Sequence, residues 1–214
     1  MTAAACTLEP ADTLGAAATA ALRRIYEDGF APHLRAEFGA VTGQRQPGEL
    51  ALALVRAGRP CGFTMLRPLG GTGWIFLRYF VVDHQVRGLG LGGIMWDMLT
   101  ARLREDGYTL LVFDVEDPGE PGCGPAQERI RARRIRFYER HGARLLPLRG
   151  YRTPHGNGWT PMLLLAAPLD GGQPDFGPAR CQSIVSAVHK YRWQLDPGHP
   201  RAVAVRNDRP AERT

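Results

Sequence analysis

The sequence predicts a single α/β domain of the α+β type: a mixed, mostly antiparallel sheet with one central parallel strand pair, flanked by helices. Two observations carry this. Three extended stretches joined by short turns occupy residues 50–82, and an amphipathic helical stretch then separates the third of them from another buried strand, "TLLVFDVED". Strands joined by a tight turn run antiparallel, whereas strands joined through a crossover helix run parallel. The length of 214 residues suffices for one full hydrophobic core with an appended segment.

Each element has a local cause. Asp12 or Thr13 can cap a helix that carries Leu14, Ala18, Leu22 and Ile25 at helical spacing and stops at Gly29, so a helix is expected over Thr13–Asp28. A short second helix is expected over Pro32–Phe38, since proline suits a first turn. Leu50, Leu52 and Leu54 alternate with small residues, the chain turns at Ala57-Gly58-Arg59-Pro60, and it resumes extended from Cys61 to Arg67, which reads as a β-hairpin. Trp74–Val82 is aromatic and β-branched and reads as the third strand.

Residues Gly90–Asp106 place Ile94, Met95, Met98, Leu99 and Leu103 on one helical face and stop at Gly107. A Gly/Pro loop, Pro118–Pro125, follows the buried strand. Gln127–His141 reads as a helix closed by Gly142, and extended stretches Arg144–Tyr151 and Thr160–Ala167 flank an HGNG turn. Residues 1–168 are thus assigned to the domain. Residues 169–214 form a C-terminal extension, with a linker, one helix over about Cys181–Leu195, and a loose tail from Asp196.

Composition narrows function. The net charge is +6, but Lys190 is the single lysine among 27 basic residues, a skew that resembles GC-rich coding more than a nucleic-acid surface. No nucleic-acid partner is expected. The four cysteines are dispersed without a C-x-x-C pair and the six histidines show no ligand spacing, so no metal and no disulfide framework are expected. No run of 18 apolar residues occurs and "MTAAACTLEP" lacks signal-peptide features, so a cytoplasmic protein without a membrane partner is expected.

The informative stretch is "VVDHQVRGLGLGG", Val81–Gly93, where a strand gives way to glycines and then a helix. Glycine costs about 0.5–1 kcal/mol against alanine in regular structure, so such a cluster marks a backbone that must approach something closely. A helix start gathers unpaired N–H groups and a positive dipole end, which suits phosphate. A Walker loop would need G-K-[S/T], which Gly92-Gly93-Ile94 lacks. The dinucleotide pattern G-x-G-x-x-G is present at Gly88, Gly90 and Gly93, with Asp114 ending the next strand. Five residues, however, separate it from its strand, and too few strands come after it for a doubly wound sheet. An NAD-dependent oxidoreductase remains an alternative on this pattern.

The pattern R/Q-x-x-G-x-G/A, beginning five residues after the strand-ending Val82, fits Arg87-Gly88-Leu89-Gly90-Leu91-Gly92. Here the chain resembles the GNAT superfamily of acyl-CoA N-acyltransferases. "IRFYERHGA", Ile135–Ala143, is similar to that family's later helix with an aromatic-tyrosine pair ending in glycine. It departs in having Arg131 and Arg134 where asparagine and alanine are frequent, and Ala143 where phenylalanine is. The resemblance covers about Leu50–Ala167.

The resemblance implies a GNAT-like sheet whose central parallel pair splays apart. It implies acetyl-CoA as co-substrate, with Phe80, Val81 and Val82 along pantetheine and Arg87, Gly88, Leu89, Gly90, Leu91 and Gly92 around pyrophosphate. Tyr138 matches the tyrosine near the CoA sulfur. The acceptor is then a primary amine on a small molecule or peptide, attacking the thioester directly. A lysine-like amine of pKa about 10.4 is deprotonated about one part in 2,500 at pH 7, so taking its proton matters. By the two-residue strand period Asp114 and Glu116 share a face at a strand end, and Glu116, then Asp114, are the candidate bases. A non-catalytic CoA-binding sensor is a further alternative, and a homodimer is an open arrangement.

Overall fold

In the computed structural model, which describes residues 5–43, 45–155, 158–172, 175–196, 199 and 206–207, the strands are β1 (Cys6–Pro10), β2 (Leu50–Arg56), β3 (Arg59–Pro68), β4 (Trp74–Val82), β5 (Leu110–Glu116), β6 (Arg144–Leu145), β7 (Leu148–Arg149), β8 (Arg152–His155), β9 (Gly158–Pro168) and β10 (Arg206–Asn207). The helices are α1 (Ala16–Gly29), α2 (Phe38–Thr42), α3 (Leu91–Glu105), α4 (Pro125–Arg140) and α5 (Pro178–Ala187). The main sheet has the strand order β1-β2-β3-β4-β5-β9-β6, with β8 also on β9. The β4–β5 pair is parallel, in register from Trp74 with Leu110 to Phe76 with Val112, and the pairs β1–β2, β2–β3, β5–β9, β6–β9 and β8–β9 are antiparallel.

The chain divides into two compact units, residues 1–67 with 77–107 and residues 68–76 with 108–214. In the first, the alternation of the strands sorts side chains between two clusters. Tyr79 and Val81 pack with Ala51, Ala53, Phe63 and Met65 beneath Leu22, Ile25 and Tyr26 of α1. Phe80 and Val82 pack instead with Leu91 and Met95 of α3. Alanines on β2 leave room for an aromatic group, in which the Tyr26 ring meets Tyr79 edge-on at 5.0 Å and Phe63 at 5.5 Å. A side-chain carbon on Gly62 would lie 2.8 Å from Met95 Sδ and 3.0 Å from the Val81 carbonyl, so any larger residue would crowd the seat of α3 on the sheet.

Three local expectations shift in this unit. α1 begins at Ala16 with Gly15 as its N-cap, so neither Asp12 nor Thr13 caps it; Ala11–Thr13 make a separate 3-10 turn. The second helix begins at Phe38; residues Pro32–Leu34 make only a single 3-10 turn. The reason is side-chain hydrogen bonding: Tyr26 OH donates to the Ala36 carbonyl at 3.0 Å and the Ala36 N–H donates to Tyr79 Oη at 3.1 Å, which holds the chain extended between the two turns. β1 is an additional strand, five residues ending in Pro10 and carrying too short an alternation to announce itself.

In the second unit, β5 and β9 pair along their length, from Leu110 with Pro168 to Glu116 with Met162. One face of this pair is covered by α5, whose Ile184 and Val185 pack with Trp74, Phe76, Leu110, Val112 and Leu164. Phe113 points the other way and meets Tyr138 of α4, centroid to centroid 4.5 Å. The C-terminal helix is displaced from the expected Cys181–Leu195: α5 begins at Pro178, ends at Ala187 and passes into a π-type turn, Val188–Arg192. The centre of the HGNG turn and most of the tail beyond Asp196 lie outside the described residues.

Candidate active site

In the first unit, β4 stops at Val82 and Asp83 organises the turn after it. Its buried carboxylate accepts the Gln85 N–H through Oδ1 at 3.0 Å and meets Arg24 Nη2 through Oδ2 at 3.2 Å. That fixes the single 3-10 turn His84–Val86, beyond which the chain reaches the glycines. Gly88 has φ of +86° and Gly90 of +72°, left-handed backbone that favours glycine. Added Cβ atoms at either position would meet nothing within 4 Å. The requirement is conformational and not one of space within the chain.

Gly90 is the N-cap of α3, no side chain caps the helix, and no acidic residue stands in its first turn. The opening N–H groups of a helix have no intrahelical acceptor, so this end presents donors and a positive dipole to solvent. Arg87, Gly88, Leu89 and Gly90 are exposed, Leu89 at 57 %. The helix is anchored by Leu91, Met95, Leu99 and Leu103, all buried, and by the Trp96 ring against Phe80 at 5.8 Å. A cavity of about 800 Å³ adjoins the loop, bounded by the first turns of α1, the β2–β3 turn and the residues Asp83, Gln85, Val86 and Leu91. Cys61 lines it, but burial pushes its thiol up to about 11, so it is not a nucleophile at neutral pH.

In the second unit, Asp114 and Glu116 have different neighbours. Glu116 is clamped by two guanidiniums of α4: Arg131 Nη2 donates to Oε1 at 3.1 Å and Arg134 Nη1 to Oε2 at 2.7 Å. Arg131 also ties down the loop before α4, through the Asp117 carbonyl at 2.7 Å and Glu120 at 2.8 Å. Asp114 accepts a hydrogen bond from Tyr151 OH at 3.2 Å. Burial pushes its carboxyl up to about 6, against the opposing pull of the Arg192 charge and the Tyr151 hydrogen bond. Tyr138 is buried, and burial raises its phenol to about 12, so at neutral pH it carries its proton.

Arg131, Arg134 and Tyr151 gave no functional signal in the sequence. The arginines look like part of a solvated basic helix, and only the strand period of β5 together with the helical spacing of α4 hints that they reach Glu116. Tyr151 lies 37 residues from Asp114, a separation at which local pattern is silent. Among the described residues no group of acidic, histidine or cysteine side chains could hold a metal ion, and no helix is long and apolar enough to cross a membrane.

The mixed sheet with one parallel pair, and the glycine-led helix after the first strand of that pair, are the features expected of a GNAT-like sheet. The family model for the GNAT acetyltransferases matches residues 19–143; the chain belongs to that family. Membership, with a largely antiparallel sheet, displaces the dinucleotide reading of Gly88, Gly90 and Gly93. Similar solved structures include a GNAT-family acetyltransferase from Bacteroides thetaiotaomicron, 20 % identical, covering 89 % of this chain and 99 % of that one at a TM-score of 0.67. Others are a ribosomal-protein alanine N-acetyltransferase from Escherichia coli, 17 % identical over 80 % and 98 % of the two chains at 0.56, and an aminoglycoside 6'-N-acetyltransferase solved with coenzyme A, 19 % identical over 79 % and 99 % at 0.54. No curated protein sequence matches significantly.

Proposed function

We propose that the protein is a cytoplasmic acetyl-CoA-dependent N-acetyltransferase that passes the acetyl group directly to a primary amine of a small molecule or peptide. The observation that carries this reading is the start of α3: two left-handed glycines deliver the chain to a helix end with no capping side chain and no acidic residue. Such an end is suited to a diphosphate, gripped by main-chain N–H groups. Arg87, exposed beside it, adds a guanidinium. Phe80, Val81 and Val82 would border pantetheine, and Gly88, Leu89, Gly90, Leu91 and Gly92 the diphosphate.

The amine must lose a proton as it attacks. Asp114 is the carboxylate we assign to that role, because a carboxyl near 6 is a better proton acceptor than an ordinary one near 3.9 and is still largely ionised at pH 7. Glu116, with both oxygens engaged by arginines, is assigned to ordering α4 and the loop before it. Tyr138, protonated at neutral pH, is the proposed proton donor to the leaving CoA thiolate.

The decisive experiment is a coenzyme-release assay over a library of aminoglycosides, polyamines and peptides, with calorimetric titration of acetyl-CoA alongside. Micromolar binding with turnover on at least one amine is expected. Tight binding without transfer to any amine would favour a coenzyme-binding sensor, and absence of binding would overturn the reading altogether.

A further inference from the structure

Asp114 is surrounded by residues that the proposed acetyl transfer does not use. Tyr151 is 3 % exposed and spends its hydroxyl hydrogen on the Asp114 carboxylate. Burial and the neighbouring carboxylate hold its phenol well above the usual range, so it donates and does not ionise. One face of its ring is covered by the imidazole of His189, parallel within 8° at a centroid distance of 5.8 Å. His189 is only 2 % exposed, and among the described residues neither of its ring nitrogens has a hydrogen-bond partner. The contact given for this ring is its stacking on Tyr151. Burial, reinforced by the charge of His199, disfavours its protonation.

The backbone supports the same assignment. His189 lies in the π-type turn that succeeds α5. Such turns are rare and occur often at functional sites. Arg192 of the same turn places its guanidinium 5.8 Å from the Phe76 ring and draws down the proton affinity of both Asp114 and Tyr151. The titratable and charged groups that bear on this carboxylate and its partners are therefore Tyr151, Arg192, His189 and His199.

We propose that Tyr151, braced by the ring of His189, is a positioning residue for the Asp114 carboxylate, and that the C-terminal turn is thereby part of the catalytic apparatus. The proposal rests on the reading of Asp114 as the proton acceptor, but its test separates the two. In the full chain, the Asp114 carboxyl carbon is followed by NMR titration and kcat/KM is measured over the same pH range.

Tyr151→Phe removes a hydrogen bond to the charged form and should move the Asp114 titration upward by about one pH unit. His189→Ala should move it in the same direction, by less, whereas His189→Phe keeps a stacking ring and should leave it at the wild-type position. An unmoved titration in Tyr151→Phe, or equal shifts in His189→Ala and His189→Phe, would overturn the proposal. If His189→Ala does not fold, Tyr151→Phe and His189→Phe decide alone. If the titration moves but the acid limb of kcat/KM stays, Tyr151 still positions the carboxylate, while the base assignment and the place of the turn in the catalytic apparatus both fall.

Discussion

The loop before α3 and the surroundings of Asp114 solve opposite electrostatic problems. The loop leaves polar groups open to solvent: a helix end without a side-chain cap and an exposed Arg87. Around Asp114 polar groups are buried, and the carboxylate accepts a tyrosine hydrogen and feels an arginine. Unsatisfied donors in water cost little and are free to take an anion; a buried carboxylate costs stability but gains proton affinity. On the proposed function, one region binds through main-chain atoms and the other transfers a proton through side chains. Substitutions should split the two functions.

The largest effect is expected at the loop. Gly90→Glu forces a left-handed residue to carry a side chain and puts a negative charge at the helix start, against a diphosphate. Acetyl-CoA affinity should fall by about 30- to 900-fold, since two unfavourable terms of about one to two kcal/mol combine. Calorimetric titration checks this. A variant that binds normally would detach the coenzyme from this loop.

Asp114→Asn is next. Turnover should fall by about 10²–10⁴, the usual worth of a general base, with acetyl-CoA affinity unchanged. The same substitution should stabilise the protein. A carboxyl whose pKa is raised on folding binds more protons folded than unfolded between about pH 4 and pH 6; native stability therefore falls as pH rises through that window and stays lower above it. Removing the charge should raise Tm by about 2–4 °C at pH 8, for each kcal/mol relieved, with the gain vanishing near pH 4. Wild-type kcat/KM should lose its activity below about pH 6, where Asp114 takes up its proton.

Tyr138→Phe deletes only a hydroxyl from a buried ring that otherwise packs on Phe113. More than a tenfold loss of turnover with unchanged coenzyme binding supports the acid role; a smaller loss removes Tyr138 from it.

These regions also differ in how far the sequence discloses them. The loop is legible because its chemistry is in the backbone: glycines at fixed spacing after Val82 and before Leu91 and Met95 spell left-handed turns and a helix start. The hairpin of β2 and β3 and the parallel β4–β5 pair are legible for the same local reason, as periods of two and of 3.6. What period alone leaves hidden is contact between distant segments. The strand period puts Asp114 and Glu116 on one face, but which of them meets Tyr151 and which meets Arg131 and Arg134 depends on β9 and α4 packing against β5. The break of the early helix at Ala36 is hidden likewise, since its cause is the hydroxyls of Tyr26 and Tyr79.

The smallest effect is expected at Glu116, and it sharpens the contrast with Asp114. Arg134 is 40 % exposed in its side chain, and ion pairs in such settings contribute about 0–1 kcal/mol; Arg131 is better buried and also holds Asp117 and Glu120. Glu116→Gln keeps an acceptor for Arg131 while removing the charge, so Tm should drop by no more than about 2–4 °C and kcat by less than tenfold. Carboxylates two residues apart on β5 then differ by about two orders of magnitude in their effect on turnover. Should Glu116→Gln instead abolish transfer while Asp114→Asn spares it, the proton would be assigned to Glu116, and its two arginines would be read as groups that release it when substrate binds.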